Sequence, residues 1–125
     1  MVEASLLFSL IALVLTKAAD FWTTLKHVGP AAECNPLARK LFHQIGFKGG
    51  LVIVALIWAI IVAAAYGYAW CLGSSWERWV TASAGFVIAW AQWDAARFNT
   101  TGHTSWFTRM ALAWYRWWQS RWRSR

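Results

Sequence analysis

The sequence predicts an all-α integral membrane protein with three transmembrane helices. A short interfacial helix follows the first span, and a basic, Trp-rich amphipathic helix ends the chain. Three observations predict this. Apolar residues make up 59% of the 125 positions and charged residues 14%, against roughly 45–50% and about 25% in a soluble domain. Residues 49–72 contain no charge, and a membrane crossing needs about 20 apolar residues. The basic residues behind the net charge of +7 gather at the ends of the apolar stretches. The same composition excludes intrinsic disorder, which needs low hydrophobicity and high charge.

Span one is expected at about residues 4–25. It is uncharged from Ala4 to Thr16 and then carries Lys17 and Asp20. Residues three apart are neighbours on a helix face, so these two charges can pair. The segment ahead of it has Glu3 and no Lys or Arg, the wrong charge for a cleavable signal peptide. An interfacial helix is expected at about 36–45. Asn35 is a favoured N-cap, Pro36 a favoured first helical residue, and Gly46 a helix stop. Span two covers 49–72, and an apolar helix of that length does not suit a small soluble protein. Span three is expected at about 79–98, its last turn holding Asp94 and Arg97, again three apart.

Together residues 1–103 form the transmembrane domain, and 104–125 form a membrane-surface tail. In the tail Trp106, Phe107, Met110, Trp114, Trp117 and Trp118 gather on one side. Arg109, Arg116 and Arg123 recur every seven residues on the other, while Arg121 falls among the tryptophans and breaks the pattern. A basic amphipathic helix of this kind suits a lipid interface, and a partner-binding helix has a similar pattern. The first connection carries Lys26, Arg39, Lys40 and Lys48, and the tail is basic too, whereas the second connection is neutral overall. The positive-inside rule then places the N-terminus outside and the C-terminus in the cytoplasm of a bacterial-type inner membrane. Basic residues so placed meet lipid head groups, and no nucleic-acid partner is expected. Cys34 and Cys71 fall on opposite sides of the membrane, so no disulfide is expected between them.

Three sets of residues are candidates for function. Ala55, Ala59, Ala63 and Gly67 form a small-residue stripe on span two, of the kind that lets helices approach closely in lipid. Its default use is a seam within the chain, with a second copy or another protein as alternatives. Trp58 and Trp90 lie mid-span, where an interface belt does not explain them. They are either packing residues or contacts for a hydrophobic ligand, cofactor or partner helix. Asp20, Thr24, Glu33, Asn35, Lys48 and Asp94 map near the cytoplasmic boundary, with Asn99, His27 and His103 nearby. Ionisable residues there suggest function, through a bound ion or a proton relay. The structural alternatives are the pairs Lys17/Asp20 and Asp94/Arg97, or a staple between Asp20 and Lys48. No metal-binding or nucleophile motif accompanies them.

The run Asp20-Phe21-Trp22-Thr23-Thr24, then Gly29, then Glu33-Cys34-Asn35-Pro36, then Lys48 entering an apolar span resembles a family of small polytopic bacterial and archaeal membrane proteins. That family is a domain of unknown function. The resemblance covers roughly residues 5–70, and Asn99 resembles a polar residue late in that family's last span. It implies a compact helical membrane domain and no particular activity.

The first functional expectation is a non-catalytic accessory or scaffold subunit, packed in a larger membrane assembly or against copies of itself. The second is a small lipid- or ion-handling enzyme or transporter using Asp20, Glu33 and Lys48. A third is membrane disruption by the tail, though three spans are not needed for that.

Overall fold

A computed structural model of the chain describes residues 1–28, 42–103 and 106–123. The described residues are almost all helical, with no strand among them. Helix α1 spans Val2–His27, α2 Phe47–Cys71, α3 Ser75–Thr101 and α4 Trp106–Arg123. Residues 42–45 form a helical turn ahead of α2. The expected start of the interfacial helix, with Asn35 and Pro36, lies outside the described residues.

Helices α1 and α2 are long and apolar enough to cross a membrane. Most of their residues face outward rather than into the bundle, including Phe8, Leu15, Ile60 and Ile61, each more than 60% exposed. Helix α3 carries Glu77, Arg78, Asp94 and Arg97 and does not reach that apolarity. Its length of 27 residues is nevertheless about 40 Å at 1.5 Å per residue.

Why α3 belongs in the bundle is visible in its contacts. It packs along α1, and α2 touches both more lightly. Thr16 hydrogen-bonds Gln92 at 3.0 Å, and Asn99 donates to Thr23 at 3.3 Å and to Thr24 at 2.9 Å. Ser9 lies against Gly85. At the other end Arg78 reaches Glu3 at 3.4 Å. Partners advance together along both helices, so α1 and α3 run parallel. Ser9, Thr16 and Thr23 face Gly85, Gln92 and Asn99 in steps of seven residues. A seven-residue repeat keeps one seam facing its partner in a left-handed pair. Between the polar layers lie buried Leu6 and Leu13 on α1 and buried Ala82, Ala89 and Ala96 on α3. Large residues on one helix meet small ones on the other, which is how close packing is reached.

Three helices meet at Ser9, Tyr66 and Gly85. The Ser9 hydroxyl donates to the Leu6 carbonyl at 2.9 Å, and its oxygen lies 2.8 Å from that of Tyr66. A hydroxyl has one hydrogen to give, so Tyr66 is the donor to Ser9. A Cβ on residue 85 would collide with the Tyr66 hydroxyl. Glycine there admits the tyrosine between the two parallel helices.

The turns have local causes. Gly46 has φ +81°, a conformation that glycine adopts without strain, and it ends the 42–45 turn as the sequence predicts. Phe42 is buried against Leu51, over Gly50, and meets Phe47 edge-on at 5.1 Å. Between α2 and α3, Ser74 caps α3. Its hydroxyl accepts from the Glu77 N–H, and the Glu77 carboxylate accepts from the Ser74 N–H at 2.7 Å. This reciprocal box satisfies two amides at a helix start. The Ser74 N–H first, then its hydroxyl, hold the Glu77 carboxyl below its ordinary range. Arg78 donates to the Ala69 and Trp70 carbonyls at 3.0 and 3.2 Å, closing the end of α2.

Candidate functional site

The expected polar cluster does not assemble as one site among the described residues. Asp20 is half-buried and paired with Lys17 at 2.9 Å, the helix pair expected from their spacing. Lys48 is exposed and makes no ion pair with Asp20, so the staple between the first two spans is not formed. Asp94 is buried, with 4% of its surface accessible, whereas Arg97 is exposed. Thr24 is drawn into the bond with Asn99, which ties α1 to α3. Glu33 and Asn35 lie outside the described residues. No group of His, Cys, Asp or Glu among the described residues is placed to hold a metal ion.

The small-residue stripe occupies a different place from its default use. Ala55 is half-buried, and Ala59, Ala63 and Gly67 are exposed. The close seam within the chain is made instead by Ala82, Gly85, Ala89 and Ala96 of α3. The reason is geometric. The register of the polar layers presses α3 against α1, and α2 joins them through Tyr66 and Ala69 in one cluster and through Leu51, near Phe21 and Leu25, in another.

That arrangement leaves an apolar groove between α1 and α2, made of two cavities. One, of about 420 Å³, lies between Leu6, Leu10 and Val14 of α1 and Ala59, Ala63 and Gly67 of α2. The other, of about 460 Å³, continues past Val14 to Lys17, Phe21 and Trp22, with Ala55 on the far wall. Val14, Trp58 and Ala59 line both. Trp58 is half-buried and packs on the core, while Trp90 is 60% exposed on α3 and lines neither cavity. The groove runs from Leu6 to Trp22, about 24 Å at 1.5 Å per residue. Its walls are mainly apolar, the polar groups among its lining side chains being the Trp22, Trp58 and Trp70 indoles, the Tyr66 hydroxyl and the Lys17 ammonium, which Asp20 engages. Such a surface can receive an apolar helix or chain. Among the described residues its lining holds no carboxylate, thiol or imidazole.

The tail residues are placed on α4. Trp106, Arg109, Trp114, Arg116, Trp117 and Trp118 are exposed, and Arg123 is the last residue of the helix. Among the described residues, helix α4 makes no extended contact with α1, α2 or α3.

Sequence reasoning missed the junction of Ser9, Tyr66 and Gly85, the capping box at Ser74 and the polar layers of the α1–α3 seam. The box was readable as Ser-x-x-Glu. The layers were readable as polar residues recurring every seven positions, although their pairing was not. Comparison of the chain with protein-family models, curated proteins and solved structures finds no match.

Proposed function

We propose that the chain is a non-catalytic integral membrane subunit whose groove between α1 and α2 receives an apolar helix of another membrane protein. The observation that carries this reading is the open stripe. Ala59, Ala63 and Gly67 line a groove although the chain's own seam is complete without them. Small residues beside a groove allow backbones to approach, which in lipid is a main source of helix association.

The outward-facing apolar side chains of α1 and α2 support a membrane setting. The parallel register supports a third crossing by α3. With Ser9 beside Gly85 and Thr23 level with Asn99, α3 lies at the same depth as α1. Its Asp94 is buried in the bundle rather than facing lipid. The basic tail supports a cytoplasmic C-terminus, an outer N-terminus and a bacterial-type inner membrane.

The test is Ala59→Leu with Ala63→Leu, followed by native mass spectrometry of protein drawn from its own membrane in mild detergent. Wild type is expected in a discrete assembly, and the double variant as a free chain of unchanged thermal stability. A wild-type monomer, or a variant that stays assembled, overturns the reading. A second reading rests on Asp94, a carboxylate buried within a helix bundle. Handling of an ion or a lipid predicts that Asp94→Asn leaves assembly intact and abolishes transport or turnover.

A further inference from the structure

The sequence pattern leaves Arg121 as an anomaly, and the structure gives it a setting. Its guanidinium carbon lies 4.8 Å from the centre of the Trp117 ring, one helical turn back. The next aromatic pair, Trp114 and Trp118, is also four residues apart, with rings 5.8 Å from each other. Trp106, Met110, Trp114, Trp117 and Trp118 are between 46% and 67% exposed. Arg109 and Arg116 are exposed along the neighbouring edge. Residues 104–125 hold five Arg and no Asp or Glu.

We propose that α4 docks on the surface of an anionic phospholipid bilayer, with its tryptophan face at head-group depth and Arg121, stacked on Trp117, binding a lipid phosphodiester. An aromatic face this exposed needs a partner. A guanidinium in the middle of that face does not suit hydrocarbon or a purely apolar pocket. Head-group depth suits both, since tryptophan rings settle there. A guanidinium stacked on a ring keeps its planar fork of donors in the geometry that phosphate oxygens accept. Gly102 ends α3 four residues before α4 begins, so the same boundary that receives α3 receives α4. The proposal rests on the membrane-spanning reading of α1–α3 and is independent of what fills their groove.

The test is hydrogen-exchange mass spectrometry of the full chain in nanodiscs. One set contains phosphatidylcholine alone, and the other contains phosphatidylcholine with about a third phosphatidylglycerol. Each cation near an anionic surface is worth about fivefold in binding. The α4 amides are therefore expected to exchange at least about tenfold more slowly in the anionic discs, and most of that protection should vanish at 1 M salt, where screening acts within about 3 Å. Arg121→Gln is expected to lose about fivefold of the lipid preference, and Arg121→Lys to recover only part of it. Equal exchange of α4 in both discs, or protection that appears only with a partner protein, overturns the proposal. So does an Arg121→Gln variant with unchanged lipid preference. The amides of α1 and α2 provide the separate control. Protected in both discs, they uphold the spanning reading whatever α4 does; unprotected, they overturn it together with the docking.

Discussion

At Gly85 one absent methyl group admits the Tyr66 hydroxyl that joins α2 to Ser9 of α1. Gly85→Ala forces the ring out of that slot, and overpacking of this kind costs about 1–3 kcal/mol. Tyr66→Phe removes the hydroxyl and its bond to Ser9, worth about 0.6 kcal/mol for an interhelical bond in lipid. The two changes act on one contact, so they should not add. We expect the double variant to unfold at a higher temperature in detergent than the sum of the single effects predicts. Strict additivity would show that Gly85 is tolerant of a side chain. Position 85 was not among the residues singled out in the sequence, because a glycine within an apolar run has no local signature. Only the tyrosine from another helix gives it meaning.

At the scale of elements, the parallel seam of α1 and α3 combines shape with register. Leu6 and Leu13 with Ala82 and Ala89 supply close packing, which tolerates sliding. The polar layers do not tolerate it. A slip along either helix would leave Gln92 and Asn99 without Thr16, Thr23 and Thr24, and unpaired amides in an apolar medium are costly. Asn99→Leu should lower stability by about 1–2 kcal/mol, the upper range for such bonds. Its diagnostic consequence is a loss of register. In a background with Thr16 and Gln92 also made apolar, cysteines introduced on α1 and α3 should crosslink in more than one pairing. A single pairing would mean that shape alone sets the register. The elements themselves were legible from the chain: the observed helices 2–27, 47–71 and 75–101 enclose or nearly match the expected spans. Which helices would press together was not legible. The conspicuous stripe on α2 did not identify the close α1–α3 seam, because small-residue spacing shows that a face can pack closely and says nothing of its partner.

For the whole molecule, the proposed three crossings carry a topological consequence that Cys71 can report. This thiol is exposed at the end of α2. In a Cys34→Ser chain in intact cells, a membrane-impermeant maleimide should label Cys71 without permeabilisation. Labelling only after permeabilisation would reverse the proposed orientation.

Composition and periodicity alone determined that the described residues are helical, that the first and second long helices suit a membrane, and roughly where the long helices lie. These follow from local quantities: apolar run length, capping residues and glycine stops act within a few positions. The tertiary structure alone decided the rest. It paired Asp20 with Lys17, buried Asp94 while leaving Arg97 exposed, kept Lys48 away from Asp20 and left Ala59, Ala63 and Gly67 open on a groove. The physical reason is that a helix presents several faces of comparable apolarity. The choice between them depends on hydrogen bonds and shape matches with residues more than 70 positions away, which no local pattern contains.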